Sequence, residues 1–298
     1  MKLDCPISKF RVANDAEVKL KKSETTIPAL YKSEQDYETK LSEYRTEIAH
    51  WQSLLFAGQQ QALLLVFQGM DTAGKGGTIR HVMSGINPQG CHVHSFGRPS
   101  EEELAHDYLW RCTTRLPRRG MIGIFDRSYY EEVLIVKVKP EVLAGQPLPE
   151  HLVNHKSFWK DRYHDIRQFE SYLHRNGTTV VKFFLHLSPE EQRRRLLARI
   201  DDPEKSWKFR LGDLDCRSQW SKFQKAYQEC FARTSTAESP WYIVPADDKR
   251  NARLIVSHVI LQTMRKMNLA LPEPTPELLQ DLATAKEMLA AESNSSDE

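Results

Sequence analysis

The stretch QALLLVFQGMDTAGKGG, residues 61–77, joins an apolar run to a glycine-rich loop. The run 61–67 has the length and composition of a buried strand, and residues 75–86 have helical character. A strand followed by G-x-x-x-x-G-K and a helix predicts a phosphate-binding loop, because successive backbone N–H groups and the positive helix end hold an anion. We predict that the Gly69–Gly77 backbone binds phosphate and that Lys75 adds a full charge. The alternative, a glycine-rich turn that only connects strand to helix, is disfavoured by the preceding strand.

This loop lacks the hydroxyl that usually serves a metal ion. In the pattern G-x-x-x-x-G-K-S/T the last residue ligates magnesium, whereas here Gly76 takes its place. Asp71 lies inside the loop, and Asp126 follows the predicted strand MIGIF (121–125), at the strand end where open α/β sheets bind ligands. Because Mg²⁺ prefers carboxylate oxygens, we predict that Asp71 and Asp126 hold the metal. The alternatives are a turn residue for Asp71 and a helix N-cap for Asp126.

Apolar runs alternate with helical segments along the rest of the chain. Further strands are predicted at CHVHSF (91–96), TTVVKFFLHL (178–187) and WYIVPA (241–246), and continuous helices over 100–116 and about 151–175. Strands that alternate with helices predict a parallel sheet covered on both faces. The expected fold is therefore a three-layer α/β sandwich around a five-stranded parallel sheet.

Three regions are expected along the chain. Residues 1–35 are polar and lysine-rich and predict an extended arm, residues 36–270 form the catalytic domain, and residues 271–298 predict a short helix with an acidic tail. The domain opens with an amphipathic helix, and apolar side chains on it are candidates for a subunit interface in a homo-oligomer: Tyr37, Leu41 and Tyr44.

Two groups of cations accompany the loop. Arg127 follows Asp126 directly and is suited to bidentate contact with phosphate, with an ion pair to Glu131 as the alternative. The run RRRLLARIDDPEKSWKFRLGD (193–213) places Arg195 and Arg199 on one helical face, where like charges repel unless an anion neutralises them. A solvated face is the usual interpretation of such a run. Beside a phosphate loop, however, it favours a helical lid over about residues 189–215 that closes on transferring phosphates.

The composition and net charge of the chain argue against two classes of partner, nucleic acids and membranes. The formal net charge of +2 provides no global electrostatic attraction to nucleic acid or to a membrane, so neither is expected as a partner. The five cysteines are scattered without a C-x-x-C pair, which is typical of reduced thiols in a cytoplasmic protein. No window approaches the ~18 apolar residues that a membrane span needs.

Taken together, five segments resemble the second family of polyphosphate kinases. They are GMDTAGKGGTIRHVMSGINPQG, FGRPSEEELAHDYLWR, FDRSYYEEVLIVKV, KFFLHLSPEEQRRRLLARIDDPEKSWKFRLGDLD and PWYIVPADDKRNAR. The segments occur in the family's order, and the resemblance extends from roughly Phe10 to Leu271. It implies a P-loop kinase fold similar to thymidylate kinases, with a helical lid. It also implies transfer of the terminal phosphate of inorganic polyphosphate to purine nucleotides, with Mg²⁺ as cofactor and Mn²⁺ as the alternative ion.

The resemblance assigns roles to individual residues. It implies catalytic roles for Asp71, Lys75, Asp126 and Arg127, with Asp71 and Asp126 associated with the metal. It implies phosphate or polyphosphate binding by Gly69, Ala73, Gly74, Lys75, Gly76, Gly77, Thr78, Arg127, Arg195, Arg199 and Lys208. The atypical loop is thus typical of this family.

The acceptor is left open among nucleotides. SYYEEVLIVKV and EKSWKFRLGDL are similar to the subgroup that phosphorylates both nucleoside mono- and diphosphates, whereas Asp rather than Asn at position 126 is similar to the diphosphate-using subgroup. ADP is therefore the expected acceptor, and GDP and AMP are further candidates. Two other functions remain alternatives: an ATP-dependent nucleoside monophosphate kinase, and a non-catalytic nucleotide- or polyphosphate-binding regulator.

Overall fold

Five parallel strands form one sheet in the order β2-β3-β1-β4-β5 in the computed structural model, which describes residues 6–14 and 16–295. The strands are β1 Ala62–Gln68, β2 Cys91–Ser95, β3 Ile122–Asp126, β4 Thr178–His186 and β5 Trp241–Pro245. The central strand pairs in parallel with β3 on one side and β4 on the other. The α/β fold and its five-stranded parallel sheet are therefore confirmed, and each strand lies within about one residue of its predicted position.

Helices cover both faces of this sheet. They are α1 Glu34–Gly58, α2 Lys75–Val82, α3 Glu101–Ala105, α4 Trp110–Thr113, α5 Ile135–Val138, α6 Pro140–Ala144, α7 Glu150–Val153, α8 Phe158–Arg175, α9 Pro189–Asp201, α10 Leu211–Ser218, α11 Trp220–Thr234, α12 Lys249–Lys266 and α13 Pro276–Ser295. Short 3₁₀ turns occur at Ile7–Phe10, Leu20–Lys22, Pro88–Gly90, Tyr129–Val133 and Ser206–Lys208. Across the described ranges, no helix is both long enough and apolar enough to span a bilayer.

Both faces of β1 are buried, which makes it the centre of the molecule. Leu63, Leu65 and Phe67 belong to the core shared with α1, α2 and α12. Leu64 and Val66 point the other way, into the core shared with α8 and α11. This alternation follows from the period of two in a strand, and it explains why the run is apolar at every position rather than at every second one.

Two of the predicted helices are interrupted. The segment expected to be helical from about 151 to 175 contains α7 and α8, with a break at residues 154–157, and the segment 100–116 contains α3 and α4. Both predictions of continuous helices were wrong. Apolar periodicity survives a local break, because each short helix still presents its apolar residues to the same core.

The first helix is packed and leaves no apolar interface. Tyr37 is 1% exposed, and Leu41 and Tyr44 are fully buried, because α1 packs on α12. The interpretation of these side chains as exposed interface residues was wrong. The prediction of a homo-oligomer therefore no longer has an observation that supports it.

The N-terminal segment packs on the domain, whereas the C-terminal helix is exposed. The N-terminal arm packs on the sheet edge, where Val12 N–H donates to the Trp241 carbonyl (2.9 Å) and Phe10, Val12, Leu20 and Leu30 are buried. At the other end, α13 has 20 residues, longer than the short helix expected, and its described side chains are exposed. Residues 296–298 of the predicted acidic tail lie outside the described residues.

Candidate active site

Glycines shape the loop between β1 and α2. A Cβ on Gly69 would lie 3.0 Å from both the Leu185 carbonyl oxygen and the Ala73 Cβ, so a side chain there would collide with the end of β4. Gly74 has φ of 98°, in the left-handed region that glycine adopts without steric cost. The Thr78 N–H then donates to the Gly74 carbonyl (2.8 Å) in the first turn of α2. The loop therefore packs closely on β4 and leads directly into the N-terminus of α2, the positive end of the helix dipole.

Lys75 lies in the loop rather than on the surface. Its side chain is 9% exposed, and Nζ donates to the Gly69 carbonyl (2.9 Å). Burial lowers the pKa of Lys75, and the nearby charge of Arg127 lowers the pKa further, while Asp126 and Asp71 oppose these effects. The buried ammonium group is therefore incompletely compensated by the protein alone. An anion with several charges would complete its compensation.

The carboxylate of Asp126 lies next to the position of the missing hydroxyl. A Cβ built on Gly76 would be 3.5 Å from Asp126 Oδ2, so the space beside Gly76 is next to a carboxylate oxygen from the end of β3. The register of the sheet explains this, because Asp126 pairs with Phe67 at the end of β1, just before the loop. The sheet thus brings a carboxylate oxygen to the place where a loop of the pattern G-x-x-x-x-G-K-S/T has its Ser or Thr hydroxyl.

Asp71 and Arg127 form an ion pair across the mouth of the loop. Arg127 Nη2 lies 2.8 Å from Asp71 Oδ1, and the Arg127 N–H donates to the Phe67 carbonyl (3.0 Å). Arg127 has φ of 66°, a left-handed conformation that is uncommon outside glycine and concentrates at functional sites. The nearby Glu131 carboxylate raises the pKa of Arg127, and burial raises the pKa of Glu131 itself. Arg127 therefore lies among acids that hold it at the end of β3.

The lid consists of α9, the 3₁₀ turn at Ser206–Lys208 and α10. Arg199 Nη1 lies 3.1 Å from Asp213 Oδ2, which joins the two lid helices. Burial raises the pKa of Asp213, and the charge of Asp71 raises it further. Both carboxylates line the same cleft. Lys208 stacks over the ring of the exposed Trp207. The predicted lid cations Arg199 and Lys208 line the same cleft as the loop residues Asp71 and Lys75.

Arg195 has a different environment from the other lid cations. It is 7% exposed, and its Nε donates to Glu191 Oε1 (2.7 Å). Its remaining N–H groups donate to four carbonyls, those of Thr72, Ala73, Ala246 and Asp247. A guanidinium has five N–H donors, and all five are used here. Arg195 therefore anchors the loop and the end of β5, and the structure gives it no free donor for the phosphate contact that was predicted.

These parts enclose one strongly basic cleft of about 640 Å³. Of the predicted phosphate-binding residues, Gly69 and Ala73 do not line it, and both are buried. The cations that line it are Lys75, Arg80, Arg127, Arg194, Arg195, Arg199, Lys205, Lys208, Arg210, Lys249 and Arg253, and the acids are Asp71, Asp126 and Asp213. Four lining residues were not predicted: Arg80 on α2, Asp213 on α10, and Lys249 and Arg253 on α12. For the last two, nothing in the local pattern shows that α12 faces the loop.

The acids of the cleft suit a hard divalent cation. Asp71 and Asp126 contribute only oxygen atoms, and no three His, Cys, Asp or Glu side chains of the described ranges cluster as a self-sufficient metal site. Mg²⁺ characteristically takes one or two carboxylates and completes its coordination with substrate phosphates and water. Asp71 and Asp126 therefore fit an ion that arrives with a phosphate substrate.

The fold and this cleft define a phosphotransferase of the P-loop kinase class. A model of the family "Polyphosphate kinase 2 (PPK2)" matches residues 31–272, and the chain belongs to that family. It is thus a polyphosphate kinase that transfers phosphate between polyphosphate and nucleotides. The alternatives of a non-catalytic regulator and a kinase using ATP as phosphate donor are set aside by this membership.

Individual relatives cover nearly the whole chain. An ADP-polyphosphate phosphotransferase from Rhodopseudomonas palustris is 52% identical over 94% of this chain and 97% of the relative. An AMP/ADP-polyphosphate phosphotransferase from Meiothermus ruber is 42% identical over 90% of this chain and 96% of the relative. The crystal structure of polyphosphate kinase 2 from Arthrobacter aurescens aligns with a TM-score of 0.85 at 35% identity, covering 96% of this chain and 99% of that one.

The lowered pKa of Lys75 leads to a pH prediction. The protonated amine is the form that binds phosphate, so the free enzyme loses it as the pH rises through a pKa below the ordinary 10.5. Bound phosphates favour the charged form and raise the pKa again. In pH–rate profiles with ADP and polyphosphate, we expect the basic limb of kcat/KM at lower pH than that of kcat, since kcat/KM reports the free enzyme.

The Lys75→Arg variant tests the assignment of that limb. An arginine remains protonated throughout this range, so the basic limb of its kcat/KM profile is expected to disappear or to move to much higher pH. A limb at the same pH in both proteins would assign it to another group.

Proposed function

We propose that this protein phosphorylates ADP with inorganic polyphosphate as donor, in a reversible reaction that requires Mg²⁺. The observation that carries the proposal is the cleft itself, where the loop, Lys75 and Arg127 meet two carboxylates, Asp71 and Asp126. A binder of anions alone gains nothing from acids beside its ligand, whereas a kinase needs them for its metal ion. The ADP-using relative, 52% identical, supports ADP as acceptor.

The protein's own groups act mainly by position and charge. Phosphoryl transfer through a loose transition state needs alignment and neutralisation more than covalent chemistry. Lys75 and the loop N–H groups hold the phosphates, and Arg127 orients the phosphate that is transferred. Arg199 and Lys208 add charge from the lid, and Arg195 keeps the loop in place from behind. The transfer is therefore direct and in line, from polyphosphate to the acceptor, without a phosphoenzyme.

The Asp71–Arg127 ion pair has a role in this scheme. Without substrate, Asp71 neutralises Arg127 at 2.8 Å. Asp71 and Asp126 are the residues that would hold Mg²⁺, and the ion would supply positive charge to neutralise the transferring phosphate. Arg127 would contact the oxygens of that phosphate. Asp71 thus compensates the charge of Arg127 in the ligand-free cleft, and its carboxylate would also serve the metal ion.

AMP is a second candidate acceptor. The relative that is 42% identical is named for both AMP and ADP, and the lid and SYYEEVLIVKV segments are similar to enzymes of that type. Position 126 argues against AMP as acceptor. An aspartate there, rather than an asparagine, is similar to the subgroup that uses diphosphates. The two acceptors are separated by measuring both rates under the same conditions.

The test combines a turnover assay with a single-turnover experiment. With long-chain polyphosphate and Mg²⁺, we expect ATP from ADP, a slower formation of ADP from AMP, and no ATP when EDTA is added. With labelled polyphosphate and no acceptor, the protein is expected to remain unlabelled. Absence of product from either nucleotide would overturn the proposed function, and labelled protein that passes its phosphate to ADP would overturn direct transfer.

A further inference from the structure

A buried ion pair lies behind the turn that follows Arg127. Glu170 on α8 is 1% exposed and Lys182 on β4 is fully buried, and Lys182 Nζ lies 2.5 Å from Glu170 Oε2. Lys182 Nζ also donates to the Thr234 carbonyl (2.8 Å) and to the Tyr130 hydroxyl (3.1 Å). The ammonium group therefore uses all three of its donors inside the protein. Neither charged residue lines the cleft, so this pair does not bind phosphate directly.

The other oxygen of Glu170 is the acceptor for two tyrosines. The Tyr129 hydroxyl donates to Glu170 Oε1 (2.8 Å), and the Tyr130 hydroxyl donates to the same oxygen (2.7 Å). Burial and the charge of Glu170 raise the pKa of both tyrosines well above its ordinary value, so the hydroxyls remain protonated donors. One carboxylate thus fixes two consecutive side chains of the 3₁₀ turn Tyr129–Val133. We call these contacts the tyrosine clamp.

An ion pair in this place does more than fill space. Burial lowers the pKa of Lys182, and the charge of Glu170 opposes that effect. Buried ion pairs can often be replaced by apolar side chains of similar volume without loss of stability, because taking two charges out of water is costly. An apolar pair, however, offers no acceptor that fixes the direction of a tyrosine hydroxyl. The network is therefore better suited to fixing the position of the turn than to stabilising the core.

The backbone of Arg127 needs such support. Its φ of 66° is a conformation that persists only where the surrounding structure fixes it. On the β1 side, the Phe67 carbonyl accepts from the Arg127 N–H. On the other side, Ser128 alone separates Arg127 from the clamp, and the Ser128 hydroxyl accepts from the Tyr130 N–H (3.2 Å). The tyrosine clamp thus holds the chain on the far side of Arg127.

Successive residues of the turn serve different parts of the molecule. Tyr130 packs in the core, whereas Glu131 lines a small cavity together with Asp71 and Arg127. The Glu131 N–H donates to the Ser128 carbonyl (3.1 Å), which ties the two sides of the turn together. A shift of the turn would therefore displace Arg127 and the acid beside it at the same time.

We propose that Glu170 is a positioning residue, which acts through the hydroxyls of Tyr129 and Tyr130 to hold Arg127 in line with the transferred phosphate. This inference rests on the role of Arg127 in the proposed function. Without the clamp, the guanidinium samples positions away from that phosphate. The loss falls on kcat rather than on substrate binding, because Arg127 acts on the phosphate that is transferred.

The test removes the two hydroxyls and keeps the rings. The double variant Tyr129→Phe/Tyr130→Phe retains the aromatic packing and the Lys182–Glu170 ion pair. We expect kcat for ATP formation from ADP and polyphosphate to fall by about five- to thirtyfold, less than the ~100-fold that a 1 Å misplacement can cost, and both KM values to change less than about twofold. Tyr129→Phe alone leaves every contact of Lys182 intact, so it serves if the double variant does not fold, with an expected fall of about two- to fivefold.

A double-mutant cycle identifies the residue through which the clamp acts. In the Arg127→Ala protein, the same tyrosine substitutions are expected to change kcat by less than about twofold, because the group that they position is absent. A clamp that only stabilises the fold would lower kcat by the same factor with and without Arg127. The slow rates in the Arg127→Ala background are measured at raised enzyme concentration from the luminescence of the ATP formed.

Tyr44→Phe is the matched control for the loss of a buried hydroxyl. Tyr44 is fully buried and hydrogen-bonds to His258 Nδ1 (2.8 Å) between α1 and α12. This variant is expected to lower the unfolding temperature and to leave kcat within about twofold of the unmodified protein. The proposal is overturned if the folded tyrosine variants keep the kcat of the unmodified protein, or if their effect is the same in both Arg127 backgrounds. If the unmodified protein shows no turnover with polyphosphate, the proposed function fails instead.

Discussion

Lys75→Ala is expected to lower kcat for ATP formation from ADP and polyphosphate by about 10²–10⁴-fold, comparable to the loss of one strong electrostatic contact in a water-poor site. The reason is the position of the side chain, which is 9% exposed within the phosphate loop. No other cation reaches beneath the loop to the Gly69 carbonyl, among the residues that the structure describes. Steady-state rates at saturating Mg²⁺ measure the effect.

Thermal unfolding serves as the control for Lys75→Ala. The folded-state pKa of Lys75 is lowered, so this group contributes stability above the ordinary pKa of 10.5 and loses it as the pH falls through the folded value. At neutral pH its charge is therefore unfavourable in the ligand-free protein. We expect the Ala variant to unfold at a temperature no lower than the unmodified protein, and to lose part of the stabilisation by polyphosphate. A folded variant with near-normal kcat would refute the role of Lys75.

Asp126→Ala is expected to lower kcat by about 10²–10⁴-fold as well, for a different reason. The carboxylate lies beside Gly76, where the loop has no hydroxyl of its own, and Asp71 is the other acid of the proposed metal site. A protein that keeps Asp71 alone should need more Mg²⁺. The measurement is therefore kcat as a function of Mg²⁺ concentration, and the concentration for half-maximal rate is expected to rise along with the loss of kcat.

Two further variants make that result specific. Asp126→Asn keeps the size of the side chain but removes its charge, so its Mg²⁺ requirement is expected to rise too. Asp281→Asn removes one carboxylate from the exposed α13 and should leave both quantities unchanged. If Asp126→Ala kept near-normal turnover at low Mg²⁺, the metal assignment would be wrong.

Much of the fold was readable from local pattern. The apolar run of β1, with an apolar side chain at nearly every position, predicted a buried strand. The glycines after it predicted the loop. Ser100 and Glu103 form a capping box at the start of α3, a feature that the local spacing S-x-x-E indicates. These features depend on residues close together in the chain, so their physical cause lies within the segment that shows them.

Other features depended on partners far away in sequence. The apolar stripe of α1 was interpreted as a candidate interface, and only its contact with α12, about 200 residues later, shows that it belongs to the core. Arg195 has the sequence context of a lid cation, but its donors go to carbonyls more than 50 residues away on both sides. A helical pattern specifies which face is apolar or charged, and it does not specify what that face meets.

The sequence by itself determined the phosphate loop, the order of strands and helices, and the family, because strand burial, glycine geometry and motif spacing are local. Only the tertiary structure decided which charges share the cleft. It placed Asp126 beside Gly76, joined Asp71 to Arg127, turned Arg195 inward, and brought Lys249 and Arg253 to the loop. Coulomb interactions depend on distance in space, and the parallel sheet brings to one edge residues that the chain keeps far apart.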